Sequence, residues 1–214
     1  MLGTKLKLEP QSPEWFGARL GKFTSSEIWK IINTGRGGEL ITQTGRSYIL
    51  SKVAEAVSDA PPQEINSKAL EWGRENEQLA ISAFTNLKKE TVEIQTAYDA
   101  DMVFGTPDGE TPTHILEIKC PYDQSRHVEN LLIADSAELR KSRPEYYWQL
   151  TMNMMLAGKR KGYFISYDPR MKEIARMKLI ELTLSEWDTE LLIERIGLAI
   201  QLRDEYLLKL AKSL

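Results

Sequence analysis

The pattern of apolar positions predicts a long amphipathic helix in the first half of the chain. From Ser67 to about Lys88, apolar or small residues recur at positions 70, 73, 80, 81 and 84, which is a helical spacing. Glu77 falls in the middle of this stripe. A carboxylate on a core-facing stripe is costly unless it is paired or bound to a metal. Either an ion pair with Arg74, one turn back, or a functional site would explain Glu77.

A second informative helix is predicted from Pro144 to about Leu156. It is apolar almost all round, which is typical of a buried helix. Gln149 and Asn153 lie on one face of it, so each needs a polar partner, either in the core or in a site. The other helices that caps and periodicity predict cover residues 12–20, 24–33 (from a Thr24-Ser25-Ser26-Glu27 capping box), 44–58, 126–140 and 186–212.

Strands are predicted between these helices, at residues 91–99, 102–106, 115–119, 161–168 and 174–183. We therefore expect an α/β (α+β) fold in which one small mixed sheet has helices on both sides. Residues 1–214 would form a single domain. The N-terminal helices (about 12–60) and the long C-terminal helix (about 185–212) would pack on its core.

The strand at residues 115–119 carries two charged residues in an otherwise apolar run. Residues two apart share a face of a strand, so Glu117 and Lys119 point one way while their neighbours point into an apolar layer. Upstream, Pro107 and Asp108 complete a Pro-Asp, eight intervening residues, Glu-x-Lys pattern. This pattern indicates a metal-dependent nuclease. The competing interpretation is an edge strand with surface charges.

These side chains suit the hydrolysis of a phosphodiester bond. Mg²⁺ prefers one or two carboxylates together with substrate oxygens and water, and Asp108 and Glu117 can supply the carboxylates. The carbonyl of Ile118 can point into the same site, because it lies on the strand between Glu117 and Lys119. The amine of Lys119 can orient or deprotonate a water and stabilise developing negative charge. The hypothesis is therefore a Mg²⁺ site, with Mn²⁺ as a substitute.

Composition leaves the partner open and removes some alternatives. The 214 residues carry a net charge of −3, which argues mildly against a generally basic surface but allows a basic cleft with an acidic exterior. The single cysteine, Cys120, excludes an internal disulfide, an iron–sulfur cluster and a structural zinc site. We find no signal-peptide pattern and no apolar run long enough to span a bilayer. A cytoplasmic location and no membrane partner are expected.

Six stretches matter as a set, in order and over nearly the whole chain. They are Arg19-Leu20-Gly21 with Thr24-Ser25-Ser26-Glu27, Lys68-Ala69-Leu70-Glu71-Trp72-Gly73 with Glu77, Thr106-Pro107-Asp108-Gly109, Leu116-Glu117-Ile118-Lys119-Cys120-Pro121, Tyr147-Trp148-Gln149, and residues 163–172. Together these stretches resemble the lambda-type phage exonucleases, the viral alkaline exonucleases (YqaJ-like) of the PD-(D/E)xK nuclease superfamily. The resemblance implies a restriction-endonuclease-like core.

This resemblance implies a Mg²⁺-dependent 5′→3′ exonuclease that acts on double-stranded DNA ends, releases mononucleotides and leaves a 3′ single strand. It implies a ring-shaped homotrimer, a phage or prophage origin in a bacterial host, and work beside a single-strand annealing protein. By match, Asp108, Glu117 and the Ile118 carbonyl would bind the metal, Lys119 would be the catalytic lysine, and Glu77 and Gln149 would support them. The 5′ phosphate would be bound by Arg19, Ser26 and Thr106. DNA would be contacted by Leu70, Arg36 and Arg126, with Leu70 separating the terminal base pair.

Other functions stay open at this point. One is a different nuclease of the superfamily, such as an endonuclease or a repair nuclease. Another is a DNA-end-binding module that has lost catalysis, against which the intact Asp108, Glu117 and Lys119 argue. A purely structural or partner-binding domain would leave Glu77 and Gln149 on buried faces without a reason. Related nucleases carry a Tyr where this chain has Asn153, so the role of that position is not given by the resemblance.

Overall fold

The structure, a computed structural model, describes residues 1–35, 37–59 and 67–213. The strands are β1 (Thr4–Lys7), β2 (Phe23–Thr24), β3 (Thr96–Ala100), β4 (Val103–Gly105), β5 (Gly109–Glu110), β6 (His114–Lys119), β7 (Lys161–Tyr167) and β8 (Met177–Thr183). The helices are α1 (Pro13–Arg19), α2 (Trp29–Ile32), α3 (Gln43–Val57), α4 (Lys68–Lys88), α5 (Gln124–Leu132), α6 (Ser136–Ser142), α7 (Pro144–Ala157) and α8 (Glu186–Ser213).

The strands of the described residues form two sheets rather than the one that the sequence predicts. The first has the order β1-β3-β4-β2 and the second the order β5-β6-β7-β8. The predicted strand at 91–99 is interrupted because Gln95 has a left-handed backbone with φ of 60°, which an extended strand does not contain. Before that break, Glu93 pairs with Glu110 of β5. Residues 91–95 therefore link the two sheets.

The second sheet has the Glu-x-Lys strand, β6, in its interior. β6 pairs antiparallel with β5 and parallel with β7. On one face, Ile115 and Phe164 belong to the same buried apolar cluster as most of α7. On the other face, Leu116 and Ile118 pack in a cluster with Phe84 of α4. Helices thus cover both faces, which confirms the predicted fold class, and every residue of β6 is buried except the half-buried Lys119 at its end.

Two predicted helices differ in the structure. Residues 24–33 do not form one capped helix, because Thr24 ends β2 and its side chain accepts no capping hydrogen bond. The Thr24 N–H instead donates to the Tyr48 hydroxyl at 2.8 Å, and a 3₁₀ turn, Ser25–Glu27, precedes α2. Residues 126–140 are likewise two helices, because the Asp135 carboxylate caps α6 as a new helix.

No helix in the described part of the chain combines the length and the apolar character that crossing a bilayer requires.

Candidate active site

Two clefts meet at the carboxyl end of β6. The first cleft, of about 500 Å³, runs from Asp108 and Glu77 to the end of α1. The second cleft, of about 570 Å³, runs from the same two residues past Lys119 to the start of α4. Arg74 also borders both clefts. Asp108, Glu77 and Arg74 therefore form a shared wall, and a ligand that contacts it can extend in two directions.

Backbone hydrogen bonds fix Asp108 in the shared wall. Its N–H donates to the Leu116 carbonyl at 3.2 Å, and its Oδ2 accepts the N–H of Ile118 at 2.5 Å. The N–H and C=O groups of one strand residue project to the same edge of the strand. The Ile118 carbonyl is therefore directed to the edge on which Asp108 lies, and Ile118 itself lines the second cleft.

Glu117 and Lys119 lie beside each other on the face of β6 that packs against α7. Lys119 Nζ donates to Glu117 Oε1 at 2.5 Å. The Glu117 side chain is 0% exposed and the Lys119 side chain is 25% exposed. Glu117 Oε2 accepts a long hydrogen bond of 3.4 Å from Asn153 Nδ2. Asn153, whose role the sequence left open, thus holds the second oxygen of this buried carboxylate.

Glu77 and Gln149 face the first cleft from two different helices. Both are half-buried and both line the cleft together with Asp108. The charges that act on Glu77 are those of Asp108 and Lys119, and no ion pair joins it to Arg74 in the described part of the chain. The ion-pair explanation of Glu77 is therefore wrong. Its place on the apolar stripe brings it to the carboxylates instead.

The electrostatics of the site follow from burial and from the excess of acidic groups. Burial raises the pKa of Glu117 to about 8, helped by repulsion from Asp108 and opposed by Lys119. Burial and Asp108 likewise raise the pKa of Glu77 to about 8, and burial raises the pKa of Asp108. Burial alone would lower the pKa of Lys119, but attraction to Glu117 and Asp108 raises it above its usual value. One ammonium cannot offset three carboxyl groups.

These residues fit a divalent cation of the Mg²⁺ type. When ionised, three carboxylates and one ammonium leave a net charge of −2, which a divalent cation would balance. Asp108 and Glu117 offer carboxylate oxygens and Ile118 a carbonyl oxygen, the hard ligands that Mg²⁺ prefers. Among residues 1–35, 37–59 and 67–213, no three His, Cys, Asp or Glu side chains are arranged as a metal-holding group. The two carboxylates and one carbonyl leave coordination positions open, which suits Mg²⁺ because it usually keeps water and substrate oxygens as ligands.

The residues predicted to bind a 5′ phosphate line the far part of the first cleft. The Arg19 guanidinium lies 4.3 Å from the centre of the Trp15 ring, and Trp15 Nε1 donates to Thr106 Oγ1 at 3.0 Å. The exposed Ser26 has its hydroxyl 3.3 Å from that of Thr24. Burial lowers the pKa of Arg19, opposed by the charges of Glu55 and Glu27, and within the described residues no carboxylate lies at salt-bridge distance from it. A half-buried guanidinium beside hydroxyl groups favours an anion.

Leu70 and Arg126, the predicted DNA contacts, both line the second cleft. Leu70 is 45% exposed at the start of α4, and Arg126 is exposed on α5. Arg36, the third predicted DNA contact, lies outside the described residues. Apart from Arg36, the predicted site residues therefore lie together on two connected clefts, with Glu117 as the buried neighbour of Lys119.

Trp15 and Arg74 are among the cleft-lining residues that sequence reasoning missed. Trp15 contacts both Arg19 and Thr106, and the signal available was its position four residues before Arg19, on the same face of α1. Arg74 was considered only as a partner of Glu77, yet it is exposed on the shared wall. No local pattern distinguishes it from any other surface arginine on an amphipathic helix.

The fold is that of the alkaline exonucleases. The structure matches the crystal structure of an alkaline exonuclease from Laribacter hongkongensis with a TM-score of 0.79 and 23% identity, covering 94% of this chain and 97% of that one. The same exonuclease in complex with dAMP gives a TM-score of 0.80 and 22% identity, with the same coverage. A phage related exonuclease from Haemophilus somnus 129PT gives 0.73 and 15%, covering 88% of this chain and 96% of that one.

Residues 14–160 match the model of the YqaJ-like viral recombinase domain. Comparison with curated proteins gives no significant match. Because the domain model covers more than half of the sequence, this chain belongs to the YqaJ-like viral recombinase family. The family confirms the resemblance that the motifs indicate.

We expect Glu77→Gln to stabilise the protein in EDTA at pH 8 and to change its stability little at pH 4.5. The pKa of Glu77 is about 8 in the folded state, against about 4.3 in an unfolded chain. As the pH rises between these values, the unfolded state loses the proton first, so the wild-type protein loses stability. Gln removes this titration, for a gain of ~1 kcal/mol or more, roughly 2–4 °C in melting temperature.

Glu75→Gln, which changes an exposed residue of the same helix, is the matched control. Its stability relative to wild type should not increase with pH. Melting temperatures by circular dichroism at half-unit pH steps measure both variants. A difference between wild type and Glu77→Gln that stays constant from pH 4.5 to pH 8 would contradict the raised pKa.

Proposed function

We propose that the protein is a Mg²⁺-dependent 5′→3′ exonuclease that degrades the 5′ strand of linear double-stranded DNA. The products would be mononucleotides and a 3′ single strand suited to recombination by single-strand annealing. The observation that carries the proposal is that one cleft holds both Arg19 and Asp108. An anion-binding pocket and a metal-binding carboxylate in one cavity, with Lys119 in the adjoining cleft that shares Asp108, suit a terminal phosphate next to the bond that is hydrolysed.

Each residue has a role that its surroundings support. Arg19, Ser26 and Thr106 would bind the 5′ phosphate and so set which bond lies at the shared wall. Asp108, Glu117 and the Ile118 carbonyl would hold Mg²⁺, which when bound supplies Lewis-acid activation of water and charge relief on the phosphate. The Lys119 ammonium would stabilise negative charge on the phosphate oxygens.

Glu77 and Gln149 would position water and substrate around these groups, because both line the first cleft beside Asp108. Leu70 and Arg126 lie along the second cleft, where duplex DNA would approach. The exonuclease from Laribacter hongkongensis has been crystallised with dAMP, which supports a mononucleotide product for this chain.

Linear and circular DNA substrates test the function directly. We expect Mg²⁺-dependent loss of the 5′ strand of a linear duplex, faster with a 5′ phosphate than with a 5′ hydroxyl, and no loss in EDTA. Strand-specific end labels on denaturing gels report which strand disappears and whether mononucleotides are released. Cutting of closed circular DNA would favour an endonuclease instead, and end binding without degradation would favour an inactive module.

We expect Lys119→Ala to lower the rate of degradation by ~100-fold or more, as loss of a positioned charged group in hydrolysis usually does. Far-ultraviolet circular dichroism and filter binding to DNA in Mg²⁺ should stay near wild type. Lys161→Ala removes an exposed lysine of β7 that pairs with Glu181 and serves as the matched control. Full activity in Lys119→Ala would remove this lysine from the mechanism.

We expect Arg19→Ala to erase most of the preference for phosphorylated ends while the hydroxyl-ended duplex is degraded at close to the wild-type rate. A charge-assisted contact of this kind is worth about 1.5–3 kcal/mol, a factor of roughly 10–100. Initial rates on paired substrates that differ only in the 5′ phosphate give the preference. Arg176→Ala, an exposed arginine away from both clefts, should keep it. An unchanged preference in Arg19→Ala would overturn the phosphate assignment.

Assembly and partners rest on the resemblance to lambda-type exonucleases. We propose a homotrimeric ring around the DNA and cooperation with a single-strand annealing protein. Multi-angle light scattering of the purified protein measures the first; a monomer at micromolar concentration would contradict the ring.

A further inference from the structure

One large aromatic side chain stands exposed at the mouth of the second cleft. Tyr122 follows β6 by three residues and is 51% exposed. It lines the second cleft together with Leu70, Lys119 and Arg126. Within the described residues, Trp187 is the other aromatic with comparable exposure, at 55%, and it lines neither cleft. Holding an exposed tyrosine in one conformation costs side-chain entropy, so contacts with its neighbours are needed to fix it.

The surroundings of Tyr122 fix both its backbone and its ring. Arg170 Nη2 donates to the Tyr122 carbonyl at 3.0 Å and to the Pro121 carbonyl at 3.2 Å. Arg170 is itself anchored at 2.7 Å to Asp168, whose side chain is 0% exposed. Because the anchor is a buried carboxylate, the loop that carries Tyr122 has a fixed position relative to β7.

Trp72 of α4 completes the support. The Arg170 guanidinium lies 4.1 Å from the centre of the Trp72 ring. The Trp72 and Tyr122 rings meet edge to face, with centroids 6.2 Å apart and an interplanar angle of 79°. In such a pair the edge of one ring meets the face of the other, so the two rings do not stack and the Tyr122 ring keeps surface for another contact.

The neighbours of Tyr122 in the cleft indicate what that contact is. Leu70 supplies an exposed apolar surface and Arg126 an exposed cation on the same cleft. A platform of aromatic and apolar groups beside cations is the arrangement that binds unpaired nucleotides, with bases on the rings and phosphates on the cations. A fully paired duplex end offers no free base face of this kind except at its last pair.

We propose that Tyr122 is a stacking platform for an unpaired nucleobase at the DNA end, held rigid by Trp72 and Arg170. The inference rests on the proposed function, because it takes DNA as the ligand. The stacked base would prevent the opened terminal pair from closing again while the shared wall acts on the phosphate. Tyr122 is thus a binding residue and takes no part in the chemical step.

Fluorescence of 2-aminopurine tests the stacking without any cleavage. The probe is placed at the terminal position of either strand, and the duplex is bound by Lys119→Ala protein in Mg²⁺. Stacking on an aromatic ring quenches the probe, so Tyr122→Leu in this background should give brighter bound DNA than Tyr122→Phe. A probe five pairs from the end should respond equally to both. Equal fluorescence of the two variants at both terminal positions would overturn the platform.

Degradation rates give a second readout. In otherwise wild-type protein, Tyr122→Leu should lower the rate on blunt duplexes by ~10-fold, within the range of one base–aromatic stacking contact. Tyr122→Phe should retain the wild-type rate, since it keeps the ring. A mismatched terminal pair, which is already open, should recover part of the loss in Tyr122→Leu. Trp187→Leu, which removes the exposed aromatic outside the clefts, should change none of these rates.

The outcomes separate this inference from the function it rests on. If wild-type protein leaves linear duplex DNA intact, the proposed exonuclease is wrong. If wild type degrades DNA and Tyr122→Leu matches it on blunt ends, only the platform is wrong. Melting temperatures within about 2 °C of wild type exclude unfolding as the cause of a lower rate, because a half-exposed side chain contributes little to the core.

Discussion

The rest of the structure depends on one energetically unfavourable feature, the burial of acidic side chains at the end of β6. Glu117 has no exposed surface, and Asp108 and Glu77 lie close enough to raise its pKa. Burial of unbalanced charge destabilises a fold unless each oxygen has a partner. Here Lys119 and Asn153 each bind one oxygen of Glu117. The two apolar layers on either face of β6 keep these groups from moving to solvent.

Residues that take no part in the chemistry also determine the geometry of this site. A side chain on Gly105 would place a Cβ 2.5 Å from Asn153 Oδ1, too close for any contact. The glycine of β4 therefore gives Asn153 the room to reach Glu117. In the same way, the hydrogen bond from Ile118 to Asp108 sets both the carboxylate and the neighbouring carbonyl. The first sheet thus shapes a site whose chemistry belongs to the second.

Much of the fold and of the site could be predicted from the sequence, for local reasons. The helices α3, α4 and α7 have clear periodicity or caps, and Glu117 and Lys119 stand out on a strand that is otherwise apolar. Glu77 was noticeable because a stripe of apolar residues surrounds it. That Arg19 and Asp108 lie in one cleft could be predicted only from the resemblance, because residues 89 positions apart in sequence meet only through the fold.

What the sequence could not supply depended on tertiary contacts. The capping box at Thr24 failed because strand pairing and the Tyr48 hydroxyl hold that residue instead. The second sheet was missed because β5 has only two residues and Gln95 breaks a run that is apolar enough for one long strand. Tyr122 carried no signal, because its importance comes from Trp72 and Arg170, which are distant in sequence.

The range that matches the family model is not a folding unit, because strands on both sides of it complete the sheets. The matched residues begin at 14 and end at 160, yet Lys5 of β1 contacts the buried Glu110 at 2.6 Å, and β7, the parallel neighbour of β6, begins only at Lys161. A fragment trimmed to the matched range would leave Glu110 without one of its cations and β6 with an open edge. Such an edge recruits other chains. A fragment cut to residues 14–160 would therefore be prone to aggregate, although it holds every residue that lines the two clefts from Trp15 to Gln149.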